Sequence, residues 1–125
     1  MVAANTILVV APDRAFRQSL EFALEVEGFS VDSHAMLTQA EASSAASKAV
    51  CMVVDESALA MDPAARQSLG RMSGPVILLV DGLSSTAAAD GLTVLTKPII
   101  GDDLIHVVHG LAARLSSDYV DSLRT

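Results

Sequence analysis

One cysteine, one tyrosine, three phenylalanines and no tryptophan occur in 125 residues. A single thiol cannot build an intrachain disulfide framework, and Cys51, set in the middle of an apolar run, is read as a small buried hydrophobe. Aromatics at 3% beside a hydrophobic fraction of 51% leave the core to Val, Leu, Ile, Ala and Met. Cations are scarce too: eight Lys and Arg against fifteen Asp and Glu give a net charge of −7. Nucleic-acid binding needs clustered cations facing the phosphates, and these eight are scattered, so nucleic acid is set aside as a partner. No apolar run reaches the roughly 20 residues of a membrane span. The start Met1-Val2-Ala3-Ala4-Asn5 has no basic region of the secretory kind. The expectation is a cytoplasmic protein that does not enter the membrane.

Motifs of catalysis are also missing. Ser57, Ser84 and Ser85 lie in no Gly-x-Ser-x-Gly elbow, and Gly82 and Gly91 lack the neighbours that a dinucleotide or phosphate loop requires. His106 and His109, three apart on a predicted helix, have no cysteine or third histidine nearby in sequence, so solvated helix residues are favoured over a metal site. His34 is read as a surface residue. An enzyme is disfavoured.

What is present is a regular alternation of strand and helix signals over one domain, residues 1–125, with a globular core at about 5–115. Residues 116–125 are read as an extension of the last helix or a tail. Thr6-Ile7-Leu8-Val9-Val10 is a short β-branched run stopped by Ala11-Pro12. Asp13 then caps a helix whose core stripe holds Phe16, Leu20, Ala23 and Leu24. Gly28 is placed for the left-handed position that ends this helix, with Phe29 packing back on it. Phe29 to His34 alternates apolar and polar residues, the pattern of an edge strand. Met36 to Lys48 is predicted as a helix of modest quality.

Val50 to Val54 and Pro75 to Val80 are continuous apolar runs, the mark of central strands covered on both faces. Between them, Ser57 to Pro63 is predicted as a loop, and a short helix is expected from Ala64 to about Leu69. Gly82 to Gly91 holds two helical turns at most. Leu92 to Thr96 is the fifth strand. From Asp102 or Asp103, Leu104, Val107, Val108, Leu111 and Leu115 make the stripe of the last helix. Five βα units in this order require right-handed crossovers and a parallel sheet.

Ligand and reaction sites in such sheets lie beyond the carboxyl ends of the strands. Three polar landmarks fall there: Ala11-Pro12-Asp13, Asp55-Glu56 and Lys97-Pro98. With Ile7-Leu8-Val9-Val10, Glu27-Gly28-Phe29, Val53-Val54-Asp55, Pro75-Val76-Ile77-Leu78-Leu79 and Leu95-Thr96-Lys97-Pro98 in this order, the chain resembles the receiver domain of two-component response regulators (CheY-like) over nearly its whole length.

The resemblance implies a flavodoxin-like, doubly wound α/β fold with strand order 2-1-3-4-5. It also implies a histidine kinase as phosphoryl donor, Asp55 as the phosphoacceptor position and Lys97 as the phosphoryl-contacting lysine. A carboxylate attacking a phosphorylated donor brings negative charges together, so the family's acidic pair after the first strand holds Mg²⁺ to neutralise them. Here that pair is Ala11 and Pro12, neither of which offers a side-chain ligand to a hard cation. Asp13 is one residue late. The switch hydroxyl of the family is Val80 and its aromatic is Val94. Only 17 positions separate Val80 from Lys97, roughly one helical turn fewer than the family usually carries.

Glu56 and Asp81 are auxiliary acids through which Asp55 could recruit Mg²⁺ by another route, since that ion is normally held by only one or two carboxylates plus water. The alternative is a standing Asp55–Lys97 ion pair with no metal. The expected function is a stand-alone, atypical receiver in a phosphorelay, acting through contacts with a histidine kinase or another signalling protein, with weak or absent phosphorylation; homodimer formation stays open. Two other readings remain: a working receiver phosphorylated on Asp55, and a small α/β enzyme or nucleotide binder using Asp55, Asp81 and Lys97.

Overall fold

Four short apolar runs and one alternating run become the five strands of one parallel sheet in the computed structural model of the chain, which describes residues 5–46, 48–60, 67, 74–81, 92–97 and 103–124, with side chains to 113 in the last helix. The strands are β1 (Thr6–Val10), β2 (Ser30–His34), β3 (Cys51–Asp55), β4 (Val76–Val80) and β5 (Leu92–Thr96). Their order is β2-β1-β3-β4-β5, and every neighbouring pair is parallel. This is the flavodoxin-like receiver topology expected. β3 and β4 are buried at every position, whereas the edge strand β2 is half-exposed along most of its length. Continuous apolar runs thus sit inside the sheet and the alternating run at its edge.

Because side chains alternate across a strand, the core divides into two layers. Ile7, Val9, Cys51, Val53, Ile77 and Leu79 meet Leu20 and Leu24 of α1 (Arg14–Val26) and Leu104 and Val108 of the last described helix, α4 (Asp103–Arg124). Leu8, Val10, Met52, Val54, Leu78 and Val80 meet Leu37 and Ala40 of α2 (Leu37–Glu41) and Ala58 and Leu59 of α3 (Glu56–Ala60). Burial pushes the Cys51 thiol up to about 12, which fits its role as a packed hydrophobe.

α1 starts and stops as its sequence dictates. The Asp13 carboxylate accepts a hydrogen bond from the Phe16 amide at 2.8 Å, satisfying one of the free donors of the first turn. At the other end Gly28 has φ +96°, the Gly28 amide donates to Glu25 and the Phe29 amide to Leu24. That pair of hydrogen bonds is a Schellman cap, and Phe29 packs in the same layer as Leu24.

Two expectations are corrected. The predicted helix from Met36 to Lys48 is helical only over Leu37–Glu41. The Ser43 hydroxyl donates to Asp32 and accepts from the Ala45 amide, so a local side-chain turn takes the place of the next helical turn. The predicted loop from Ser57 begins instead as α3, directly after β3. Asp55 supplies the reason, because its carboxylate accepts from the Ser57 amide at 3.2 Å and so caps the helix that follows. The predictions for Ala64–Leu69 and Gly82–Gly91 lie almost wholly outside the described residues, only Gln67 among them being described. α4 runs through Arg124, so the chain after residue 115 continues the last helix.

Candidate functional site

The parity of the strands decides which side chains meet at the carboxyl edge. Ala11 continues the Ile7, Val9 alternation, Asp55 continues Cys51 and Val53, and Lys97 follows Leu95, so all three belong to the layer covered by α1. The β1–β3 register runs from Ile7↔Cys51 to Val10↔Val54, and one further step sets Ala11 beside Asp55. The Lys97 amide donates to the Val80 carbonyl at 2.7 Å, which fixes the lysine at the end of β5 next to β4.

Asp55 is the buried charged residue of the described core, 3% exposed. The Lys97 ammonium, on a side chain 32% exposed, donates to Asp55 Oδ1 at 2.8 Å. The same oxygen accepts from the Ser57 amide. A charge this deeply buried needs such partners, since an unpaired carboxylate would cost several kcal/mol. Above the pair lies Phe16, whose ring centroid is 4.9 Å from Lys97 Nζ, within the ~6 Å range of a cation–π contact. Arg17 reaches back over the first turn of α1 and donates to the Ala11 carbonyl at 2.8 Å, with the Pro12 carbonyl at 3.5 Å.

An open cleft of ≈ 350 Å³ adjoins this pair, lined by Asp55, Glu56, Ser57, Leu59, Asp81 and Lys97 among others. It therefore brings together the acceptor position, the lysine and both auxiliary acids singled out in the sequence. Asp55, Glu56 and Asp81 line it together with the Lys97 ammonium among the described residues. Val80 is buried at the end of β4, and Val94 packs in the opposite layer with Leu92. Ala11 is fully buried and Pro12 partly exposed.

The donors at this edge do not match the Mg²⁺ set of the family. Positions 11 and 12 carry no ligand side chain, the Asp13 carboxylate caps α1, and the Ala11 carbonyl is taken by Arg17. Among the described residues no three His, Cys, Asp or Glu side chains converge as metal ligands.

Of the histidines, His34 ends β2 at the carboxyl edge, where its carbonyl accepts from the Ala11 amide at 3.0 Å, and its side chain is half-buried rather than on the surface. His109, on α4, makes a 3.0 Å contact with Glu27 and sets its ring tilted against that of Phe29 with centroids 5.2 Å apart, so this half-exposed residue links α4 to the end of α1. His34 Nε2 comes within 3.1 Å of Asp32 without the alignment of a hydrogen bond. The Ser43 hydroxyl beside Asp32 holds its carboxyl below the usual range, helped by His34 and opposed by burial.

Sequence reasoning places Phe16 in the core stripe and Arg17 on the polar face, and neither at the site. A signal is available: helical side chains lean toward the N-terminus, so residues three and four beyond the Asp13 cap cover the end of β1.

No family model matches the chain. FixT of Rhizobium meliloti (strain 1021), a transcriptional regulator protein, is 43% identical over 112 residues, covering 89% of this chain and 96% of FixT. The chain belongs to the response-regulator receiver family. The receiver domain of the hybrid histidine kinase CckA is 25% identical with a TM-score of 0.61, over 86% of this chain and 98% of that one. The signal receiver domain of a response regulator from Bermanella marisrubri, at 22% identity, has the same fold with a TM-score of 0.67, over 86% of this chain and 98% of that one. The solved structures it resembles are thus receiver domains, and its sequence relative is a regulator. Among its described residues no helix is long and apolar enough to cross a membrane.

Proposed function

We propose that the protein is an atypical receiver that regulates through protein–protein contacts in the cytoplasm, with phosphorylation of Asp55 weak or absent, and that a histidine kinase or another signalling protein is its partner. The observation that carries this reading is the state of Asp55: its Oδ1 already accepts from Lys97 and Ser57, beside a β1 end whose two acid positions are Ala11 and Pro12. Phosphoryl transfer would set new negative charge on a carboxylate already paired with Lys97, at an edge where positions 11 and 12 carry no acid to hold the divalent ion that such chemistry needs.

The name of the relative FixT speaks of transcriptional regulation. In this chain a net charge of −7 argues that any such regulation passes through proteins and not through contacts with DNA. The outer face of α1 supports protein contact: Phe22 and Val26, one turn apart, are 70% and 64% exposed. With Glu25 exposed between them, they suit a partner with an apolar ridge and basic flanks. The test is incubation with acetyl phosphate and Mg²⁺, read by intact-mass spectrometry. No stoichiometric adduct is expected; full labelling that disappears in Asp55→Asn would overturn the reading.

One feature favours the working receiver as a second reading, namely the open cleft that leaves Asp55 approachable between Glu56 and Asp81. The same experiment decides between the two.

A further inference from the structure

We infer that the first turn of α1 itself bars divalent cations from this site: Arg17 holds the end of β1 as a resident cation, and Phe16 keeps Lys97 on Asp55. The inference rests on the reading of the site as one without a metal-dependent phosphoryl step, and adds a cause beyond the missing acids.

The geometry is specific. The guanidinium of Arg17 bonds the carbonyl of Ala11 at 2.8 Å and lies 3.5 Å from that of Pro12. These are the two residues where the family places its ligand acids. A guanidinium stays protonated at any accessible pH, so a divalent ion brought to this strand end meets a fixed positive charge in a part-buried position, where screening is weak. The helix turn that carries Arg17 is fixed by Asp13 in two ways. The Arg17 amide bonds the Asp13 carbonyl at 2.9 Å, and the Asp13 carboxylate pins the neighbouring Phe16 amide. Phe16 in turn lays its ring on the Lys97 ammonium at 4.9 Å, and Lys97 stays on Asp55 at 2.8 Å. Asp13 is thereby committed twice over and is not released as a ligand without loosening the helix start.

An acid restored at the strand end is therefore insufficient for metal binding while Arg17 keeps its charge. Position 12 is the place to test this, because Pro12 is partly exposed whereas Ala11 is fully buried. Mg²⁺ is titrated calorimetrically into the full chain carrying Pro12→Asp alone, Pro12→Asp with Arg17→Gln, and Pro12→Asp with Arg17→Lys, each first shown by circular dichroism to melt cooperatively. The expected result is binding at least about tenfold tighter with Arg17→Gln than with Pro12→Asp alone, a difference of about 1.4 kcal/mol, with Arg17→Lys remaining weak. A role of Arg17 in packing alone would move the Lys and Gln variants together, whereas an effect of charge separates them. Equal affinity in all three variants, Lys and Gln behaving alike, or no binding in any overturns the inference. Labelling of the unaltered protein by acetyl phosphate reports on the underlying reading separately, since it involves none of these substitutions.

Discussion

The two faces of α1 hold the same kinds of residue and do opposite things. On the inner face Phe16, Leu20 and Leu24 lie against the sheet, with Leu24 fully buried and Phe16 lying on Lys97. On the outer face Phe22 and Val26 stand 70% and 64% exposed. A phenylalanine on one side holds an ion pair in place; a phenylalanine six residues later holds nothing within the described structure. Side-chain identity alone therefore says little, and the contacts each face makes decide whether a residue carries stability, site geometry or recognition. Substitutions on the inner face should register as lost stability, and those on the outer face as lost binding.

The sharpest contrast comes from Leu24→Ala. Leu24 is 0% exposed and packs with Phe29 in the layer that also holds Ile7 and Val53. Truncating it removes transfer energy and leaves a cavity, for a loss of about 2–5 kcal/mol. Urea unfolding should show a lower midpoint with unchanged slope. A loss below about 1 kcal/mol would mean that α1 is not anchored through this residue.

Next comes Lys97→Ala, which strands the Asp55 carboxylate at 3% exposure. Removing one partner of a fully buried pair costs about 3–5 kcal/mol; because Lys97 is 32% exposed, water can replace part of its bond and a loss of about 2 kcal/mol is expected. Asp55→Asn combined with Lys97→Met should recover most of it, since the neutral pair no longer buries a lone charge while the carboxamide oxygen introduced at position 55 can still accept from the Ser57 amide. Failure of the double variant to recover would show that the ion pair itself carries the local structure. A smaller effect belongs to Asp13→Ala, which removes the cap on Phe16 and should cost about 1 kcal/mol. Its loss should also loosen the Phe16–Lys97 contact, measurable as faster amide exchange at Phe16 and Arg17.

These effects follow unevenly from the amino-acid order. β3 and β4 are legible because Val53-Val54 and Ile77-Leu78-Leu79 are unbroken apolar runs, a local pattern that only a sheet covered on both faces can use. The start and stop of α1 are legible too, through Asp13 and through Gly28-Phe29, whose chemistry acts within a few residues. The end of α2 is not, because it depends on Ser43 meeting Asp32 from another element. The immediate start of α3 is hidden for a related reason: in sequence Asp55 reads as a reactive carboxylate and not as the acceptor for Ser57. At the site, Asp55 and Lys97 are found from strand ends and family resemblance. Phe16 and Arg17 are not, because their contacts join the first turn of α1 to the ends of β1 and β5: periodicity sorts them by face, and only the lean of helical side chains toward the N-terminus points to that meeting.

The smallest expected change in stability is on the outer face, with Phe22→Ser and Val26→Ser together. Neither residue belongs to the two packed layers, so unfolding in urea should move by no more than about 0.5 kcal/mol per site. Serine costs a helix a few tenths of a kcal/mol by propensity, which sets the floor of the measurement. Binding is where the pair should be felt. Exposed apolar residues at the centre of an interface carry a large share of its energy, so the affinity for a signalling partner should fall at least about tenfold while Leu24→Ala, at a temperature where it remains folded, leaves affinity nearly unchanged. Reversal of this pattern, with the serine variant unstable and still binding, would show that the outer face is a structural surface and that recognition lies elsewhere on the molecule. The contrast between the two sides of α1 is thus decided by measuring stability and affinity on the same two variants, because each face is expected to move one quantity and leave the other in place.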